Sequence, residues 1–141
     1  MKAQDIMTHD PVCVTPDTTL SDAARLMKDH DVGMLPVVDA DGSSQLVGLI
    51  TDRDITVRHV AEGHKGNACK VSEAMTDDAT TVRADSDVRD VMSVMGREQI
   101  RRIPVVDERA KLVGVISQAD IVLQVDDATA TDRTIGQISQ P

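Results

Sequence analysis

Three observations predict an α+β fold built from a duplicated β-α-β-β-α unit. The chain repeats itself, each copy alternates helical and strand-like apolar periods in the same order, and its length suits two very small domains or one ordinary one. At 141 residues it buries roughly two thirds of its unfolded surface, so no metal or disulfide staple is needed.

The repeat is direct. Residues 5–39, slid by 68 positions, lie on 73–107, and Met7, Thr8, Val14, Asp17, Asp22, Met27, Pro36, Val37, Val38 and Asp39 each meet an identical residue. After a two-residue contraction, 46–55 lies on 112–121, where Leu46, Val47, Gly48, Ile50, Asp54 and Ile55 match. The contraction falls between Asp39 and Gln45, a polar stretch that reads as a surface turn and tolerates length changes. The reading divides the chain into a first domain over 1–64, a second over 65–126 and a polar tail over 127–141.

Each copy then reads in order. Residues 12–14 and 80–82 are short extended pieces. Leu20, Ala23, Ala24 and Met27, and Val88, Val91, Met92 and Met95, recur at helical spacing and give one apolar stripe. Thr18 or Thr19 suits the cap of the first helix, Ser86 or Asp85 that of the second. Residues 35–38 and 46–50, then 103–106 and 112–116, are paired strands; their continuous apolar runs predict cover on both faces. Pro36 and Pro104 lack a donor and belong at strand starts or edges. Second helices follow over 52–60 and 118–125. One copy cannot cover both faces of its sheet. Two copies packed sheet to sheet, with pseudo-two-fold symmetry, would do so and leave two equivalent clefts. The tail is expected to be mobile or weakly docked, with Ile135 and Ile138 as its anchors and Asp126–Asp127 as solvated charge.

Composition narrows the function. The chain has no Phe, Tyr or Trp and a net charge of −9. It offers no stacking platform for bases and little general attraction for a polyanion, so nucleic acid is not an expected partner. No apolar run approaches a membrane span, and the first residues lack a signal-peptide core, which makes the cytoplasm the expected location.

The chemistry-bearing signature follows the last strand of each copy: Gly48-Leu49-Ile50-Thr51-Asp52-Arg53-Asp54 and Gly114-Val115-Ile116-Ser117-Gln118-Ala119-Asp120. A hydroxyl three residues before an Asp at a helix start is a capping box. The same carboxylate is also placed to accept from both hydroxyls of a ribose, each charge-assisted bond being worth about 1.5–3 kcal/mol. Both readings stand at the level of sequence.

These residues carry a family resemblance. Asp5-Ile6-Met7-Thr8, Leu35-Pro36-Val37-Val38-Asp39 and the Thr51 signature, repeated in Glu73-Ala74-Met75-Thr76, Ile103-Pro104-Val105-Val106-Asp107 and the Ser117 signature, resemble the cystathionine-β-synthase (CBS) domain over about residues 5–126. The whole is similar to small stand-alone bacterial proteins made of one CBS pair, a Bateman module, some of which belong to stress or hypoxic responses. The resemblance implies a regulatory module, not an enzyme, that takes AMP, ADP, ATP or S-adenosylmethionine between its repeats. By the same resemblance it would require no cofactor, work as a homodimer and leave room for a protein target that the sequence does not name. Carried over, Thr51 and Asp54 would share one cleft with Arg101 and Arg102, with Arg53 as a further cation. Ser117 and Asp120 would share the other with Gly33 and Met34, and Val14 and Val82 would wall the adenine. The expectation is tighter anion binding at Asp54.

Weaker signals have plainer readings. His59, His64 and Cys69 stand at five-residue intervals without a tight pair, which suits surface residues better than a zinc site. Cys13, in an apolar strand context, is expected to be buried; His9 and His30 are expected in solvent. Alternatives are a ligand-free interaction dimer with degenerate clefts and a small metal-dependent enzyme. The stripes 20–27 and 88–95 are candidate dimer surfaces or internal core.

Overall fold

The computed structural model describes residues 1–125 and 128–140, without the side chains of 128 and 129. Asp126–Asp127, read as solvated charge, lies outside the described residues. In chain order the elements are α1 (Ala3–Ile6), β1 (Thr8–His9), α2 (Leu20–His30), β2 (Met34–Val38), β3 (Leu46–Thr51), α3 (Asp52–Ile55), β4 (Val82–Arg83), α4 (Val88–Glu98), β5 (Arg102–Val106), β6 (Leu112–Ser117), α5 (Gln118–Gln124) and α6 (Ala128–Ile138). A π-helical stretch, Thr56–Val60, continues α3, and a single 3-10 turn covers Val71–Glu73. The β-α-β-β-α order holds in the second copy; in the first, the strand expected at 12–14 is reduced to one bridging residue, Val14.

The chain forms two compact units, Val12–Ala79 and Met1–Pro11 with Thr80–Pro141. The cut differs from the one read off the repeat: the first residues belong with the second copy, and residues up to Ala79 with the first. Strand pairing explains this.

In the first unit, β2 and β3 form an antiparallel hairpin, with Leu35 opposite Ile50. Val14 bridges Val37 in parallel on one side, and Thr76 bridges Leu49 antiparallel on the other. Leu49 and Thr76 exchange backbone bonds of 2.9 and 2.8 Å. Gly48 makes room for this crossing, since a methyl group there would lie 2.5 Å from the Thr76 carbonyl oxygen. β2 is buried throughout, as its unbroken apolar run predicts. Against it α2 turns Leu20, Ala23 and Met27, while Ala24, expected on the stripe, is exposed. The Thr19 hydroxyl caps α2 by accepting from Asp22 N at 3.1 Å.

The second unit has the same plan with longer outer strands, in the order β1-β6-β5-β4. β1 runs antiparallel to β6 and β4 parallel to β5. Gly114 repeats the role of Gly48: a methyl group there would lie 2.8 Å from Thr8 O. Pro104 lies inside β5 and not at its start. Its missing donor costs nothing in the ladder because β4 reaches only Val105 and Val106. Pro36 likewise lies within β2, beside a partner that bridges at a single residue. The α4 stripe, Val88, Val91, Met92 and Met95, is buried. Its cap is Asp87, not Ser86 or Asp85: Asp87 accepts from Arg89 N at 2.9 Å, while the Ser86 hydroxyl accepts from Arg83 N and Asp85 pairs with the Arg83 guanidinium. Both stripes are therefore core of their own units.

The C-terminal segment corrects the expectation of a mobile tail. α6 packs along α4 and buries Thr131, Thr134 and Ile138. Of the two expected anchors, Ile138 joins the core of the second unit and Ile135 is half-buried. Gly96 lets α6 approach, lying against the Gln137 side chain. Its counterpart in the first unit is Lys28, exposed on α2.

Candidate functional site

The two signatures occupy the same place in their units. Each strand, β3 or β6, delivers its hydroxyl residue directly onto a helix start, because the antiparallel hairpin ends there. In both the capping box forms. Thr51 N donates to Asp54 Oδ2 at 3.0 Å, and Asp54 N donates to Thr51 Oγ1 at 3.0 Å. Ser117 N donates to Asp120 Oδ2 at 2.8 Å, and Asp120 N to Ser117 Oγ at 3.1 Å. The capping reading of the sequence is thus correct for one carboxylate oxygen of each Asp. Since a carboxylate has two oxygens and about four acceptor positions, the cap leaves the second oxygen to decide what else the residue does.

The second oxygens differ. Asp54 Oδ1 lies 3.6 Å from Arg58 Nε, one helical turn on, and the Asp54 side chain is only 13% exposed. The residue matching Arg58 in the second unit is Gln124, whose amide instead donates to Ile6 O at 3.2 Å. Among the described residues no partner holds Asp120 Oδ1.

The neighbourhoods differ as well. Arg102 pairs in register with Ser117, and Gln118 N donates to Arg101 O at 2.8 Å. Arg101, Arg102, Ser117, Gln118 and Ala119 line a cavity of about 290 Å³. The sequence reading grouped these arginines with Thr51 and Asp54; hairpin pairing seats them beside Ser117, in the unit that also holds Asp120. In the first unit Gly33 and Met34 occupy the matching positions, with Met34 opposite Thr51 and Asp52 N donating to Gly33 O at 2.9 Å. A methyl group on Gly33 would lie 3.0 Å from Asp52 Oδ2, so an acidic side chain covers the spot where the other unit carries arginine. Arg53 is exposed. Val14 and Val82, expected as adenine walls, are buried in the cores of their respective units. Sequence reasoning missed Asp52, Arg58, Gln118 and Gln124. Comparing the two copies position by position beyond the signature would have found them.

The remaining candidates fall out as follows. Cys13 is exposed, against expectation, because the half-buried Val12 and buried Val14 turn it outward in an extended segment. Desolvation pushes its thiol pKa up. The Cys69 thiol is pushed up by desolvation, then by the charge and hydrogen bond of Glu73. Neither is the low-pKa, electropositive thiol of a reactive site. His59 is not a surface residue: it is 2% exposed, its Nε2 has no partner among the described residues, and it stacks on His64 at 5.5 Å between ring centroids. His9 and His30 are exposed as expected. No group of three or more His, Cys, Asp or Glu among the described residues is placed to hold a metal ion. No described helix is long and apolar enough to cross a membrane.

Comparison with known proteins agrees with this duplicated geometry. Hypoxic response protein 1 of Mycobacterium tuberculosis is 38% identical over 119 residues, which cover 84% of this chain and 81% of the relative. A crystal structure of Hypoxic Response Protein I with two coordinated zinc ions matches with a TM-score of 0.80 and 35% identity, covering 89% of this chain and 99% of that one. The CBS domain pair of protein MJ0100, in complex with 5'-methylthioadenosine and S-adenosyl-L-methionine, matches at 0.76 and 29% identity, over 87% and 94% of the two chains. CBSX2 in complex with AMP matches at 0.75 and 28%, over 89% and 98%. The CBS domain model matches twice, over residues 3–59 and 71–127. Two matched copies spanning most of the sequence, each ending in a hydroxyl–carboxylate corner, make this chain a member of the CBS-domain family with one CBS pair.

Proposed function

We propose that this CBS pair is a regulatory module that binds an adenosine nucleotide, with AMP as the reference ligand and ADP or ATP as extensions of it. The observation that carries the reading is the second-unit corner. Ser117 lines a cavity of about 290 Å³ with Arg101, Arg102 and Gln118, and Asp120, which caps Ser117 through one carboxylate oxygen, keeps the other without a partner among the described residues. The carboxylate accepts from ribose hydroxyls, and two guanidinium forks suit phosphate oxygens. The AMP bound by CBSX2 and the adenosyl ligands bound by MJ0100 support this ligand class. The module binds and does not catalyse: both cysteines are kept as thiols, and the carboxylates recur in two copies as binding positions do. The cytoplasm is its proposed place of action.

Calorimetry with AMP tests the reading. Asp120→Ala and Arg102→Ala should each weaken binding about tenfold or more, one lost charge-assisted bond being about 1.5–3 kcal/mol. Asp54→Ala should leave the tighter site intact. Equal binding by all four proteins would overturn the assignment. A lowered melting temperature in Asp120→Ala with unchanged affinity would reduce that carboxylate to a cap.

One observation favours self-association alongside ligand binding. Val57 and Val60 follow Asp54, Val122 and Leu123 follow Asp120, and all four are exposed. Apolar residues at related places in two copies suit a homodimer better than the stripes 20–27 and 88–95, which are core. Native mass spectrometry reports the oligomer and any bound nucleotide together.

A further inference from the structure

Duplication gave both units the same corner, yet the charges around the two corners differ. In the second unit Arg101 and Arg102 border the cavity, Gln118 is neutral, and Asp120 is the one carboxylate of the signature. In the first unit glycine and methionine replace the arginines, Asp52 replaces Gln118, and Arg53 replaces Ala119. Asp52 spends one oxygen on Arg53 N at 2.8 Å and turns the other onto Gly33, 3.0 Å from where a side chain there would begin. Arg58 faces Asp54 at 3.6 Å. By count, Asp52 and Asp54 here stand against Arg53 and Arg58, whereas Arg101 and Arg102 outnumber Asp120 at the other corner.

We infer that the first-unit corner selects a nucleoside without a phosphate, uncharged or cationic at its 5' end, and that Asp52 is the specificity-determining residue. The inference rests on the reading of both corners as ribose sites. Asp54 accepts the ribose hydroxyls after giving up its long contact to Arg58. The 5' substituent then points toward the Gly33–Asp52 pair. A phosphate there meets a carboxylate, and like charges at short range repel. A neutral thioether or a sulfonium does not.

Amide NMR reads the two corners separately in the full-length protein, through Thr51 and Asp54 on one side and Ser117 and Asp120 on the other. Adenosine, 5'-methylthioadenosine and AMP are the probes. At Thr51 and Asp54 the two uncharged ligands should bind about tenfold more tightly than AMP, roughly 1.4 kcal/mol. At Ser117 and Asp120 the order should reverse. Asp52→Asn, an exposed and isosteric change, should bring AMP within about twofold of adenosine at Thr51, leaving Ser117 unchanged. A Thr51 corner that prefers AMP in the natural sequence overturns the inference, as does an Asp52→Asn protein with an unaltered preference. Response at Ser117 alone, to all three ligands, also overturns it while the proposed function stands. Silence at both corners removes the ribose-site reading and the inference together.

Discussion

The two units of this chain share a fold plan, a capping box and a signature, and differ in what surrounds one carboxylate. Among the described residues Asp120 Oδ1 has no partner, and its cap residue Ser117 shares a cavity with Arg101 and Arg102; Asp54 instead faces Arg58, and Asp52 lies against Gly33. The likeness lies in residues that fold the repeat: glycines under a crossing strand, a hydroxyl cap, a helix stripe. The difference lies in residues that fold nothing. Guanidiniums at the edge of a hairpin cost little stability and change which ligand the corner attracts. Duplication preserves the frame, and charge at its edge sets the use.

Transplanting one edge onto the other breaks the comparison most severely. Arg101→Gly with Arg102→Met copies Gly33-Met34 into the second unit. AMP affinity should fall about a hundredfold, two charge-assisted bonds being lost, while the melting temperature stays nearly constant. Calorimetry and a thermal melt read both quantities.

A second break targets the other asymmetry, the C-terminal helix. Gly96→Lys gives α4 the residue that α2 carries at Lys28, and places a long side chain against Gln137 of α6. Overpacking of this kind costs about 1–3 kcal/mol. Hydrogen exchange should show α6 amides losing protection while β5 and β6 keep theirs.

The sequence made most of the frame legible and little of its edges. The repeat, the Leu20 and Val88 stripes and the hairpins can be read because each is a local pattern whose period matches its element. The exchange of residues 1–11 into the second unit depends on pairing between Thr8 and Val115, which no local pattern records. α6 escaped because its buried face is Thr131, Thr134 and Ile138, too polar to stand out; α4 supplies the seat through Gly96. The arginines were grouped with Thr51 and Asp54 through the family resemblance, which carried them across to the other repeat. A hairpin places the residues before its first strand beside those after its second, and that rule puts Arg101 and Arg102 next to Ser117. Cys13 was misread because one apolar neighbour on each side looks the same in an alternating strand as in a buried one.

Arg58→Gln sharpens the comparison. It gives the first unit the residue found at Gln124 and releases Asp54 Oδ1. Adenosine should bind a few-fold more tightly at Thr51, and stability should change by less than about 1 kcal/mol, since Arg58 is largely exposed. Amide shifts and a urea melt check this.

The smallest effect concerns a turn in the second unit. Asp107 Oδ1 accepts from Lys111 N at 3.0 Å and Arg109 N at 2.8 Å, and these bonds hold its carboxyl below the usual carboxylate range. A depressed folded pKa contributes stability above the unfolded value, lost as the pH falls through the folded one. Asp107→Asn should therefore differ most from the natural protein near neutral pH and converge with it as the solution is acidified below about pH 4. Melting temperatures measured across that range test the sign.

A crystal structure of the full chain grown with AMP tests the central claim most directly. The account predicts a ribose on Asp120 Oδ1 with its phosphate on Arg101 or Arg102, and the Asp120–Ser117 cap still in place. Phosphate seated instead beside Thr51 and Asp54, with the Arg101–Ser117 cavity holding only water, would contradict it.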